Sequence, residues 1–216
     1  MPTLAQFTRA MQTSRHMKEY KKGMVIQGGG KMGLQGKYSY TLTESPGKHF
    51  DPRFTPYATP AEMLSMGVFE GKYLNDCLDE FPYEWFRDAH KAGKLAFGQP
   101  DIECNLFQVQ SRQPLSVWVE NGWAPSNRRA RSTSPKRTRD MLADPKRNPD
   151  ERGWFQWYCR YWLGRRIPDL DSIQIGRWRS FARHVGAIRK GCAPHDTECR
   201  KRERQALLQW AYDPFV

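Results

Sequence analysis

The sequence predicts a mainly α fold with a small β element: a compact helical body, a C-terminal three-helix basic bundle and extended basic arms. Three observations carry this. Large apolar residues recur at helical spacing through residues 151–216, helix start and stop signals punctuate residues 49–123, and one stretch near residue 40 alternates like a strand. The chain has 216 residues, enough to bury one sizeable core, and 13% of them are aromatic, with eight Trp. That content excludes a wholly disordered chain, because disordered segments are poor in large apolar side chains. No stretch approaches the roughly 18 uninterrupted apolar residues of a membrane span. The N-terminal residues lack the apolar core of a secretory signal, which points to an intracellular protein of the nucleus or cytoplasm. Their amphipathic, nearly acid-free composition also matches an organelle transit peptide.

The first segment, residues 1–48, is a basic, Gly-rich extension with one strand. Arg9, Arg15, Lys18, Lys21 and Lys22 precede a glycine run, Gly28 to Gly36, that includes Lys31. Backbone N–H groups in such a run can cradle phosphate. A P-loop, however, needs Ser or Thr after its lysine, and Met32 follows Lys31. A nucleoside triphosphate site is therefore rejected. Residues 37–43 alternate, with Tyr38, Tyr40 and Leu42 on one face.

Residues 49–123 form a short-helix globular region. Thr59, Pro60 and Glu62 make an N-cap, a first-position proline and a third-position acid, and Gly67 suits the stop. A second helix runs from Pro82 to Lys91 before Gly93. A third runs from about Pro114 to Glu120, with Gly122 as the stop and Trp123 able to pack back. Residues 124–150 read as a basic linker, hydroxyl-rich and interrupted by proline. Residues 151–216 form an aromatic and arginine-rich helical region that packs with 49–123. Its first helix carries Trp154, Trp157, Tyr158, Tyr161 and Trp162 and ends at Gly164 and Pro168. The second places Trp178, Phe181, Ala182, Val185 and Ile188 on one stripe, with Arg179, Arg183, Arg189 and Lys190 away from it. The third begins basic at Arg200 and ends apolar at Tyr212. Three-helix basic modules include helix-turn-helix DNA binders, an analogy at the level of fold alone.

Charge is distributed unevenly. The net charge is +12, divided as +1 over residues 1–123, +5 over 124–150 and +6 over 151–216. Such asymmetry points to a polyanionic partner at the C-terminal end, nucleic acid first and an anionic membrane surface second. The expected function is binding of DNA or RNA, mainly through phosphates, as a structural component of a larger nucleoprotein assembly. The residues expected to make the contacts are Arg128, Arg129, Arg131, Lys136, Arg137, Arg165, Arg166, Arg179, Arg183, Arg189 and Lys190. Ser134, followed by Pro135, resembles a proline-directed kinase site, where phosphate would cancel part of the local charge.

The alternative is a nucleic-acid-modifying or -processing enzyme with a carboxylate and aromatic pocket. Asp76, Asp79, Glu80 and Glu84 lie close together in sequence, and neighbouring carboxylates can do acid–base work or bind a metal. An acidic run is more often a solvated face, so no catalytic residue is assigned, and His49 and His90 are treated alike. No deaminase, HExxH or GxSxG pattern is present, and no cofactor is expected.

The five cysteines form no CxxC pair and read as reduced intracellular thiols. Cys192 and Cys199 bracket His195, and His184 is a further potential ligand, but the spacing is not that of a closed zinc site. A disulfide across this loop is sterically possible, yet the expected compartment argues against it. Incidental cysteines at neighbouring helix ends are the preferred reading, with no metal.

Four phrases, at residues 50–54, 67–76, 153–160 and 204–213, resemble an uncharacterised intracellular protein family over about residues 44–213. The resemblance carries no activity and no site residue. It implies that the globular part starts near Glu44, with the Gly-rich arm as an extension.

Overall fold

The computed structural model describes residues 2–28, 38–127 and 135–216. In chain order the helices are α1 (Leu4–Met11), α2 (Pro60–Met66), α3 (Tyr83–Lys91), α4 (Leu115–Glu120), α5 (Lys136–Leu142), α6 (Trp154–Leu163), α7 (Pro168–Phe181), α8 (Arg183–Gly191) and α9 (Lys201–Gln209). Strands β1 (Val25–Gln27) and β2 (Ser39–Thr41) pair antiparallel, with Ile26 opposite Tyr40. The fold is mainly α with a small β element. Among the described residues, no helix is long and apolar enough to cross a membrane.

The contacts divide the chain into two units, each discontinuous in sequence. One comprises Met1–Glu19, Asp51–Arg112 and Arg177–Val216; the other comprises Tyr20–Phe50 and Gln113–Gly176. The C-terminal helices expected as a bundle are therefore distributed, with α6 in the second unit and α8 and α9 in the first.

In the first unit, α2 packs on α3 around Met63, Leu64, Trp85, Phe86 and Ala89. Thr59 and Glu62 form the expected capping box, in which the Glu62 N–H donates to the Thr59 hydroxyl (3.2 Å) and the Thr59 N–H donates to the Glu62 carboxylate (2.7 Å). Gly67 ends the helix at φ 102°, and a Cβ there would stand 2.1 Å from the Cys104 carbonyl oxygen. Only glycine fits. A second capping box, Thr3 with Gln6, starts α1, whose Phe7 is buried against Phe97 and His90. α9 contributes Leu207 and Leu208 to the core and buries polar side chains beside them. The Gln205 amide donates to the Gly67 carbonyl (3.0 Å) and accepts from the Phe107 N–H (3.1 Å), so it satisfies loop backbone that water cannot reach.

The second unit is built around α6, nearly every residue of which is buried. Gly164 caps it in the left-handed conformation, and its carbonyl accepts from the N–H groups of Thr43 and Glu44 (2.9 and 3.1 Å). The stretch read as a basic linker departs from that expectation after Pro135. α5 buries Met141 and Leu142, and Asn148 and Asp150 are fully enclosed. Its apolar pair Met141–Leu142 and the buried carboxylate beyond give the segment more to bury than its overall composition implies.

Candidate nucleic-acid interface

Arginine does two kinds of work in this protein, and burial separates them. In the second unit Arg165 donates to both oxygens of Asp150 (2.7 Å each), and Arg160 adds a bond to the same carboxylate (2.9 Å) and one to the Pro149 carbonyl (2.8 Å). All three are almost wholly enclosed. Burial alone would raise the pKa of Asp150, but the charge and hydrogen bonds of Arg165, then of Arg160, outweigh it and hold the carboxyl below its usual range. The guanidinium of Arg160 also lies over the rings of Tyr38 and Tyr40 (5.1 and 5.5 Å). Arg166 stands 3.9 Å above the Tyr161 ring and donates to the carbonyls of Tyr161, Arg165, Lys48 and His49. Arg165 is thus removed from solvent, and Arg166 is committed to backbone. Neither is placed as a phosphate contact.

The other kind lies on α8 and the end of α7, in the first unit. The predicted apolar stripe faces inward at Trp178 and Ile188 and in part at Phe181 and Val185, whereas Ala182 is exposed. Trp178 stacks on Tyr212 (4.8 Å) and meets Phe54 edge-on (4.9 Å), Phe181 stacks on Trp210 (4.8 Å), and Ile188 is buried. The Tyr212 hydroxyl donates to the Trp178 carbonyl (2.8 Å), and burial pushes its pKa up to about 12. Arg177 lies over the Trp210 ring (5.4 Å), where burial lowers its pKa. Ala182 separates α7 from α8 but keeps helical angles (φ −54°, ψ −22°). Arg179, Arg183, Gly186 and Lys190 therefore follow one another at steps of four, three and four residues, which keeps them on one face. All of them are exposed, as is Arg189. Among the described residues, none of these cations makes a hydrogen bond or an ion pair, and no acid interrupts the row. Asp51, an acid on which Arg179 acts, is paired with Arg53 at 2.7 Å. At the ordinary helical rise, Arg179 to Lys190 spans about 16 Å.

The remaining expected contacts divide as follows. Lys136 and Arg137 are exposed in the first turn of α5, in the second unit. Arg128, Arg129, Arg131 and Ser134 lie outside the described residues, as do Lys31 and most of the glycine run. Two exposed cations that the sequence reading passed over, Arg200 and Arg202, stand at the start of α9; the basic run Arg200 to Arg202 was the available signal.

No family model, curated protein or solved structure matches the chain.

The acids of the alternative reading do not converge on one point. Glu84 accepts from the Met17 N–H (2.7 Å) and pairs with His16 (3.0 Å), while Glu80 is buried and Asp79 is exposed. Among the described residues, no group of three or more His, Cys, Asp or Glu side chains is arranged to hold a metal. The expectation of incidental thiols at 192 and 199 is corrected: Cys192 and Cys199 form a disulfide. The reason is the turn through His195, at φ 64°, which returns the chain so that the two Cα atoms stand 5.8 Å apart. The bond occupies both sulfurs that a zinc site would use, and His184 rests against the Phe181 ring (4.3 Å). Cys77, Cys104 and Cys159 are buried thiols outside any disulfide.

Proposed function

We propose that this protein binds nucleic acid, chiefly through phosphates, with the α7–α8 face of Arg179, Arg183 and Lys190 as its principal contact surface and Arg189 exposed beside it. The observation that supports the reading is the row itself: exposed cations on one helix face, uninterrupted by acid and unpaired among the described residues. In the second unit, by contrast, Arg160, Arg165 and Arg166 are spent on a carboxylate and on carbonyls. Unpaired surface guanidinium groups in a row release condensed counterions when they meet phosphates, and that release drives sequence-independent binding. Lys136 and Arg137 form a second basic site, to which Arg128, Arg129 and Arg131 add charge in sequence. A role as a structural component of a nucleoprotein assembly is consistent with the same chemistry.

The test is affinity against salt for random duplex DNA, single-stranded DNA and structured RNA. Binding to all three is expected, weakening as salt rises. Replacing Arg179, Arg183 and Lys190 with alanine should weaken every ligand alike and flatten the duplex slope by about 0.9 per lost phosphate contact. Absence of binding at low salt would overturn the reading and move the partner to an acidic protein or an anionic lipid surface.

A further inference from the structure

We infer that the Cys192–Cys199 disulfide is a redox gate on this basic face: oxidised, it holds the basic end of α8 beside the basic start of α9 as one phosphate-binding ridge, and reduced, it releases the α8 end. The inference rests on the nucleic-acid reading above.

The two ends carry the relevant groups. Arg189 and Lys190 stand in the last turn of α8, and Arg200, Lys201 and Arg202 open the α9 side. The disulfide brings Cys192 and Cys199 together between them. Arg200 lies against Gly191 so closely that a Cβ there would stand 2.9 Å from its guanidinium. Lys201 pairs with Glu198 (2.5 Å), and Arg200 stands 3.8 Å from Glu203. Among the described residues, Arg189, Lys190 and Arg202 keep their charge uncommitted at the junction.

The loop is anchored unequally. On the α9 side, buried Arg204 donates to the carbonyls of Cys199 (2.8 Å) and Asp196 (3.0 Å), and Asp196 accepts from the Glu198 and Cys199 N–H groups (3.1 Å each). On the α8 side, Cys192 has already left the helix (ψ 149°), and Gly191, Ala193 and Pro194 are exposed. Cutting the bond therefore leaves residues 196–199 in place and lets the last turn of α8 fray beyond buried Ile188. Both sulfur-bearing residues are partly exposed, whereas the three free cysteines are enclosed. A cellular dithiol can reach the bond. Its two thiols pass two electrons and two protons to the Sγ atoms, the S–S bond breaks, Cys192 and Cys199 become thiols, and the dithiol departs as its own disulfide.

The experiment uses the full chain in air-oxidised form, after reduction with a dithiol, and as the double variant Cys192→Ser/Cys199→Ser. Each is titrated with random duplex DNA over a salt series, with circular dichroism recorded in parallel. The expected result is binding by the oxidised form, an unchanged helical spectrum on reduction, and affinity lower by on the order of tenfold in the reduced and double-Ser forms. The salt slope should flatten by about 0.9 to 1.8, the loss of one or two phosphate contacts. Equal affinity of all three forms would overturn the gate while leaving the nucleic-acid reading intact. Global unfolding on reduction and in the double-Ser form would also overturn it, by making the bond a structural staple. Failure of the oxidised chain to bind at low salt would remove the reading and the gate together.

Discussion

Asp150 and Arg165 face each other through two parallel hydrogen bonds of 2.7 Å, and neither side chain reaches solvent. A fully enclosed pair of this kind is a poor source of net stability, because desolvation offsets most of its attraction. Breaking it is another matter, since the survivor is left charged and dry. Asp150→Ala should lower unfolding free energy by about 3–5 kcal/mol, stranding both Arg165 and Arg160. Denaturant titration of the variant checks this, and a loss under about 1 kcal/mol would show that water reaches the site.

The same pair sets an acid limit. Because the folded pKa of Asp150 is depressed, its contribution is complete above the unfolded carboxylate value, near 3.9, and is lost as pH falls through the depressed folded value. Urea midpoints between neutral pH and about pH 2 should therefore fall steeply at the acid end for the native chain and less steeply for Asp150→Asn. Asp171 works in the opposite direction. Burial raises its pKa against the hydrogen bonds from Trp157 and Ile167, so its contribution declines as pH rises from the unfolded value through the raised one.

Glycine substitutions should give opposite signs at two positions. At Gly164 (φ 112°) a Cβ would stand 2.0 Å from the Glu44 carbonyl oxygen, so Gly164→Ala must move backbone and should cost more than about 1 kcal/mol. At Gly186, inside α8, no atom beyond its chain neighbours and the helix's own backbone lies within 4 Å of the added carbon. Gly186→Ala should stabilise by about 0.5–1 kcal/mol through helix propensity alone. Thermal or chemical melts of the two variants distinguish the cases.

Thiol counting provides an independent check on the cysteine assignment. In the absence of reductant, the native chain should react slowly with a thiol reagent, because Cys77, Cys104 and Cys159 are buried. Unfolding without reductant should release the three free thiols, and unfolding after reduction all five cysteines. Five thiols without reductant would contradict the disulfide.

The two basic sites should also differ in weight. Replacing Lys136 and Arg137 should reduce affinity for duplex DNA less than replacing Arg179 and Arg183, because the latter share a helix face with Lys190 with no acid between them, whereas Arg139, the further cation on the face of Lys136, stands 4.0 Å from Asp140. Salt-dependent titration of the two double variants measures the difference. Equal losses would assign the same weight to the α5 end.

Local signals were legible in the sequence, and non-local pairings were not. The Thr59–Glu62 box, the stop at Gly67, the end of α6 at Gly164 and the inward row of Trp178, Phe181 and Ile188 all follow from spacing within a few residues. Pro168 marks the end of α6 in the sequence, but proline also opens helices, and it begins α7. The Thr3–Gln6 box was equally visible but lay within a stretch read for its charge. Asp150, by contrast, carries no local mark of its role. Its partners follow 10 and 15 residues later, and burial is what turns a basic segment's last acid into an ion-pair centre. Arg165 and Arg166 illustrate the same limit. Composition records their charge, and only packing records that it is spent internally.

The bond from Gln205 to the Gly67 carbonyl closes a separation of 138 residues. A ribosome adding roughly 5–20 residues per second takes about 7 to 28 seconds to cover that distance. For most of that interval α2 and α3 have been synthesised without α9, and the carbonyl that Gln205 will cap lacks its native donor. The first unit cannot close during translation of its own opening segments. Its half-made apolar surface is the form of this protein that a nascent-chain chaperone would meet.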